Sequence, residues 1–357
     1  MRTPIRVGLV GLGERGRRLA RTFDKLPGAE IRWLCDRSPD VRMAHRTRFP
    51  AASWTASFGD ILTDDGVDAV VIATPLSNRF DLAMRALEAD KHVFVEQPIA
   101  LGGEEAQVLV DEAEARDRIL AVGNAVLFQP AVRKLKELVV AGALGDVYYL
   151  HADRHRHGGV RSDENALWHL GAQDIAVLLY LLDDQPIEVA ARGESYLRGE
   201  MPDVVFAYLK FATGISAHLH LSWLDPLQQR RTTVVGAERM AVINDLEPER
   251  KLTIYDKRES EPTETFGDGS DGRIGDIISP RLRAENPTLL ECESFVARIR
   301  SQIGRGSNGR DGATVVEILE TLQISLDNGG QPQPFLSRSR VTPNRGVIPL
   351  VASRDVR

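Results

Sequence analysis

The chemistry this chain can do is concentrated in a few short stretches. Gly11-Leu12-Gly13-Glu14-Arg15-Gly16 follows the apolar run Ile5–Val10, and Asp36 closes the next apolar run about twenty residues later. In such a loop the first glycine permits a tight turn and the second lets a pyrophosphate approach the backbone. The third lets helix and strand pack closely, while the helix N-terminus offers amide donors to the phosphates. Asp36 would accept hydrogen bonds from the adenosine ribose hydroxyls and repel a 2′-phosphate, which favours NAD(H) over NADP(H). Arg37 beside it works against that preference, because a guanidinium could stack on adenine or meet a phosphate. The alternative is a glycine turn with no ligand, which the strand–loop–helix context disfavours. Glu14 and Arg15 in the loop, Thr74 and Pro75 ending a later buried strand, and Asn78 just beyond are further candidate cofactor contacts.

A second stretch, HVFVEQPIA from His92 to Ala100, is a core strand that stops abruptly at Glu96, Gln97 and Pro98. These residues would border the cofactor. Gln97 brings a dipole and hydrogen bonds but no charge and no titration near neutral pH. A cis peptide is plausible at Pro98. The third stretch, Asn165–Leu182, reads as a helix carrying Trp168, His169, Gln173 and Asp174. His169 and Gln173, four apart, would share a face one turn apart, and an imidazole there could do acid/base work or simply bond a neighbour. Arg154, His155, Arg156, His157 and Arg161 crowd one loop-forming segment. The arginines could grip a phosphate or carboxylate; the plainer reading is a solvated loop, its charge offset by Asp153, Asp163 and Glu164. His155 and His157 would share a face of an extended segment but lack a well-spaced third ligand, so no metal site is expected.

The elements that must position these residues change character midway. Strand-like runs at Ile5–Val10, Ile31–Cys35, Ala69–Ala73, His92–Val95 and Ile119–Val122 alternate with helical runs at Glu14–Leu26, Pro39–Phe49, Ser77–Ala89 and Glu104–Arg116. That alternation predicts a parallel sheet with ligands at the carboxyl ends of its strands. From Gly145 strands dominate: Asp146–Ala152, Ile187–Ser195, Val204–Phe211, Ile215–Trp223, Thr232–Gly236, Met240–Asn244 and Lys251–Tyr255, with closing helices at Pro287–Arg300 and Asp311–Leu326. The expected fold is α/β: an N-terminal Rossmann dinucleotide-binding domain, 1–122, followed by an α+β domain, 123–335, with a large, mostly antiparallel sheet. The Pro-, Arg- and Ser-rich segment 336–357 reads as an extended tail. A net charge of −6 gives no field for nucleic acid, and no apolar run approaches bilayer length. Two cysteines without a pairing pattern and an N-terminus entering a strand at once point to a cytoplasmic protein without a signal peptide.

Together these residues resemble the glucose–fructose oxidoreductase/inositol dehydrogenase (Gfo/Idh/MocA) family over nearly the whole chain, to about Phe335. The resemblance rests on VGLVGLGERG at 7–16, VDAVVIATP at 67–75, ALEADKHVFVEQP at 86–98 and FQPAVRKLKELVVAGALGDVYYL at 128–150. SWLDP at 222–226 and VVGAERMAVINDLEPERKLTIYD at 234–256 look most like its nucleotide-sugar branch. The resemblance implies hydride transfer between a nicotinamide and a sugar or cyclitol carbon, with substrate held over the second sheet. It implies a catalytic lysine where this chain has Gln97, a histidine where it has Gln173 and an aspartate where it has His169; Trp168 and Asp174 match.

Losing both proton-handling groups leaves His169 as the candidate acid/base, Gln97 and Gln173 as neutral partners, and Arg154, Arg156 and Trp168 as candidate substrate contacts. Reduction of a carbonyl or imine suffers less than alcohol oxidation, which needs a base. The rivals are a redox-neutral enzyme that retains NAD, acting as an epimerase or elimination-type glycosidase, and a non-catalytic nucleotide- or sugar-binding paralogue. The expected partners are a sugar-like small molecule and further copies of the chain, as a homodimer or homotetramer through the second sheet.

Overall fold

The structure is a computed structural model, and it describes residues 3–158, 164–197, 199, 201–257, 275–301 and 307–338. Six strands form the first sheet: β1 Ile5–Val10, β2 Ala29–Cys35, β3 Ser53–Thr55, β4 Ala69–Ile72, β5 His92–Glu96 and β6 Leu120–Gly123. All its pairings are parallel, in the order β3-β2-β1-β4-β5-β6. Helices α1 Glu14–Lys25, α2 Pro39–His45, α3 Phe58–Leu62, α4 Arg79–Glu88 and α5 Gly103–Ala115 lie in its crossovers. The order reverses between β1 and β4, the crevice where such sheets bind dinucleotides. The strand β3 and the helix α3, of 3 and 5 residues, are too short to show a period in the sequence.

The second sheet contains β7 Val147–His155, β8 Pro186–Glu194, β9 Val204–Phe211, β10 Ser216–Ser222, β11 Gln229–Gly236, β12 Arg239–Asn244, β13 Leu252–Asp256, β14 Ile277–Ile278 and β15 Gln333–Pro334. Their order is β14-β13-β12-β11-β7-β10-β9-β8-β15, antiparallel except at the central pair of β7 and β10. Alternate residues of each strand point to opposite faces. Leu150, Ala152, Leu219 and Leu221 are buried against helices, whereas Tyr149, Phe206 and Tyr208 lie exposed on the other face. The helices are α6 Pro130–Val140, α7 Ala172–Leu182, α8 Pro287–Ser301 and α9 Ser307–Asp327.

Two findings differ from the sequence reading. The helix expected from Asn165 to Leu182 begins instead as a π-helical turn, Leu167–Gly171, and becomes α7 only at Ala172. The closing helices also do not stay with the second sheet. Cys292, Phe295 and Val296 of α8 sit in one core with Val7, Leu9, Phe23 and Phe94, on the face of the first sheet that α1 covers. Phe295 and Phe94 meet edge-on at 5.6 Å between ring centres. Helix α9 bridges both sheets: Gly309 and Gly312 pass against Leu120 and Val122 of β6, and further along α9 packs on β8. A local pattern cannot reveal that residues nearly three hundred positions downstream complete the first core. Of the expected tail only 336–338 is described; the remainder lies outside the described residues. No helix among the described residues is long and apolar enough to cross a membrane.

Candidate active site

The glycine loop has the geometry its spacing foretells. Gly11 has φ +88°, and a Cβ there would stand 2.6 Å from the carbonyl oxygen of Ala73. A Cβ on Gly16 would lie 1.8 Å from the Gly11 oxygen, so helix and loop touch backbone to backbone. At Gly13 a Cβ would meet nothing within 4 Å. The middle glycine therefore faces open space, the side from which a pyrophosphate would approach the first turn of α1. Asp36 is aimed at the loop: its carboxylate accepts from the Leu12 amide at 2.8 Å and the Ser38 amide at 2.9 Å. Each oxygen keeps a lone pair for a ribose hydroxyl. Arg37 is exposed, and Arg42, which the sequence reading missed, donates to the backbone oxygens of Asp36 and Arg37 at 2.5 and 3.0 Å. Glu14 is exposed and pairs with Arg18 at 3.7 Å.

Arg15 departs from expectation. Rather than reaching toward a cofactor, it turns beneath the loop, donating to Glu96 and to Glu291 of α8 at 2.9 Å each. Two buried carboxylates thus share one guanidinium. Burial pushes the Glu96 carboxyl above its ordinary value, and burial, with Glu96 beside it, pushes Glu291 up to about 8. The network ties α1, β5 and α8 together directly beneath the strand ends.

Above it lies a row of polar side chains in register. The parallel ladders pair Ile72 with Val95 and Glu96 with Gly123. Continuing two residues past the first pair and one past the second sets Thr74, Gln97 and Asn124 side by side beyond the carboxyl ends of β4, β5 and β6. The Thr74 hydroxyl, the Gln97 amide nitrogen and both polar atoms of the Asn124 side chain are buried, with no hydrogen-bond partner among the described residues. Such groups cost free energy unless a ligand or an ordered water satisfies them. The Gln97–Pro98 peptide is cis, as anticipated. Arg79 fixes the row from below, donating to the carbonyls of Thr74, Glu96 and Pro98 at 3.0, 3.2 and 2.8 Å. Pro75 is exposed at the rim, and Asn78 takes the N-cap position of α4 without a side-chain capping bond. Asn124 was absent from the sequence-based candidates, although the strand register that selects Gln97 also selects it.

Beyond Asn124 the turn Ala125–Phe128 packs on α7 and α8, carrying the row toward the second sheet. There the Trp223 indole N–H donates to His169 Nδ1 at 3.0 Å. Indole nitrogen is donor only, so His169 must carry its proton on Nε2. Protonating Nδ1 would set N–H against N–H. His169 is therefore arranged as a neutral hydrogen-bond donor, with Nδ1 committed to Trp223. Gln173 is exposed on the first turn of α7. Trp168 turns away: it is buried and its indole donates to Gln323 of α9 at 3.2 Å. It lines a cavity of about 1100 Å³ shared with Leu101, Asn165, Glu194, Met201 and Gln323, which none of Gln97, His169 and Gln173 lines.

Arg154, expected to hold substrate directly, is buried in a two-pronged pair with Asp174, both contacts 2.6 Å. The register places Arg230 of β11 opposite Arg154, a residue the sequence reading did not single out. Burial, and then the guanidinium of Arg154, hold Arg230 below its ordinary value, with Arg156 adding to the effect. Three guanidiniums thus gather near the start of α7. Arg161 lies outside the described residues.

Comparison with known proteins agrees with this geometry. Residues 5–124 match the GFO/IDH/MocA oxidoreductase family with its NAD-binding Rossmann fold, and 132–242 match the GFO/IDH/MocA C-terminal domain. An uncharacterized oxidoreductase of Streptococcus pneumoniae is 28% identical over 226 residues, 58% of this chain and 60% of that protein. This chain therefore matches less than two thirds of that relative's length. A UDP-N-acetylglucosamine 3-dehydrogenase of Acidithiobacillus ferrooxidans is 29% identical over 70% of this chain and 77% of its own length. A solved structure of UDP-N-acetylglucosamine 3-dehydrogenase GnnA from that organism shares the fold, with a TM-score of 0.78 at 24% identity over 91% of this chain and 98% of that one. With both of the family's domains matched in order along the chain, the chain belongs to the GFO/IDH/MocA oxidoreductase family.

Proposed function

We propose that the protein is a nicotinamide-dependent oxidoreductase that reduces a carbonyl or imine carbon of a sugar, cyclitol or nucleotide-sugar-like compound. The observation that carries this reading is the row of unpartnered buried groups at Thr74, Gln97 and Asn124, beside a glycine loop whose middle residue faces open space. These fit a bound dinucleotide: Gly11, Gly13 and Gly16 would cradle its phosphates, Asp36 its ribose, and the polar row its carboxamide end. Bound there, the cofactor would supply or accept the hydride. Gln97, Gln173 and the Nε2–H of His169 are donors without a base among them. Donors of that kind polarise a carbonyl and stabilise the oxygen charge that develops as hydride arrives, whereas removing a proton from an alcohol needs an acceptor.

Asp36 favours NAD(H), with Arg37 and Arg42 as the neighbours that oppose a strict preference. Arg156 and Arg230 offer positive ground for a phosphate-bearing substrate. The exposed aromatic face of the second sheet, with Tyr149, Phe206 and Tyr208, supports a homo-oligomer, and the protein would work in the cytoplasm.

The test pairs binding with chemistry. Fluorescence titration should show NADH binding more tightly than NADPH, and the holoenzyme should reduce keto-sugar nucleotides faster than it oxidises the matching alcohols. Gln97→Lys combined with Gln173→His should raise alcohol oxidation at least tenfold. Absence of binding by either dinucleotide would refute the proposal.

A further inference from the structure

The face of the second sheet turned away from α7 carries four of the chain's eight histidines: His151 and His155 on β7, His218 and His220 on β10. Arg154 points to Asp174 of α7, so by strand alternation Asp153 and His155 point the opposite way. The parallel register sets His220 directly beside Asp153, and His155 follows two residues along the same face. The ligand atoms of Asp153, His155 and His220 all fall within 4.8 Å of one another. His155 Nε2 and His220 Nδ1 are 2.9 Å apart.

We propose that Asp153, His155 and His220 bind one divalent transition-metal ion, zinc(II) by the character of the donors. Two imidazoles and one carboxylate suit a borderline ion such as zinc or cobalt rather than calcium or magnesium, which prefer oxygen. Three protein ligands leave a fourth position open.

The surroundings support an ion here rather than a chance cluster. His155 is only 6% exposed, and its Nδ1 is buried without a hydrogen-bond partner, 3.7 Å from a carboxylate oxygen of Asp225. An ion on Nε2 requires the proton of neutral His155 to sit on Nδ1, facing that carboxylate. That is the carboxylate–histidine–metal arrangement which orients ligands in metalloproteins. Behind Asp153 stands His151, with 3.6 Å between ring nitrogen and carboxylate. His220 is held flat against Phe206, 4.4 Å between ring centres. Only modest movement is needed, because two nitrogens each about 2.0–2.1 Å from a tetrahedral ion lie somewhat farther apart than they do here. The ring that carries the proton between the imidazoles shifts it to its own outer nitrogen, His155 Nδ1 or His220 Nε2, so neither ring changes charge. The site would pin β7 to β10, the sheet's one parallel pair, at the end where Trp223 leaves toward His169.

Cobalt(II) titrated into chelator-treated full-length protein reports the geometry directly. The expected result is one equivalent bound with the visible absorption of a four- or five-coordinate ion, displaced by one equivalent of zinc. His220→Asn and Asp153→Asn should each weaken binding at least tenfold, and Asp225→Asn by 10- to 100-fold, as for other groups that orient metal ligands. The wild-type cobalt spectrum needs no variant and so does not depend on how a substitution folds. The proposal is overturned if cobalt keeps the spectrum of the hydrated ion, or if binding persists unchanged in the Asp153→Asn/His220→Asn double variant. Neither outcome bears on dinucleotide binding at the glycine loop.

Discussion

The glycine loop and the start of α7 make an instructive pair. At the loop, the geometry is set by which side chains are missing: Gly11 and Gly16 are fixed by backbone contacts, while Gly13 faces open space. At the start of α7, chemical character is set by what the side chains have as neighbours. His169 is typed as a donor by the indole of Trp223, more than fifty residues away, and Arg154 is taken by Asp174. Backbone requirements leave a mark in the local sequence, whereas the chemical state of a side chain is set by whichever partner the fold delivers.

Within the loop itself, Gly16 and Gly13 should respond oppositely to an added methyl group. Gly16→Ala places a methyl group 1.8 Å from a backbone oxygen and should cost roughly 3–4 kcal/mol or prevent folding, measured by denaturant titration. Gly13→Ala should leave stability within about 0.5 kcal/mol, yet weaken NADH binding tenfold or more. Equal effects at the two positions would break the distinction. On the other side, Asp174→Asn leaves the buried Arg154 guanidinium without its countercharge and should destabilise by about 3 kcal/mol. A loss under about 0.5 kcal/mol would mean that the pair does not position α7.

The smallest effect concerns the network under the strand ends. Burial, and then the neighbouring Glu96, push the Glu291 carboxyl from its ordinary value of 4.5 up to about 8. A carboxyl raised on folding holds more protons in the native state, so stability falls as pH rises. Its contribution is complete below about pH 4.5 and is lost by the time pH passes about 8. Glu291→Gln should flatten that slope of unfolding free energy against pH; an unchanged slope would assign it to other groups.

What the sequence revealed follows the same division. The first sheet, its glycine loop, Asp36 and the turn at Gln97-Pro98 were legible because each imposes a requirement on nearby residues. The second sheet was legible as alternating runs, though its parallel central pair was not, since strand order depends on contacts between distant segments. Asn124 could have been found by carrying the strand register one step further. Arg15 could not: nothing near the loop says that Glu291 waits beneath it. The same holds for His155, whose neighbours His220 and Asp225 come from another strand and the segment after it.

The return of α8 to the first sheet has a consequence during biosynthesis. Phe94 meets Phe23 edge-on at 6.4 Å, but it gains its nearer edge-on neighbour only when Phe295 has been made. At about 5–20 residues per second, the stretch from the end of β6 to α8 takes roughly ten to thirty seconds to translate. Throughout that interval the face of the nascent sheet that α1 covers lacks the remainder of its cover. The first domain to be synthesised is thus among the last to be finished, and a nascent chain stalled before α8 would present chaperones with an open apolar surface.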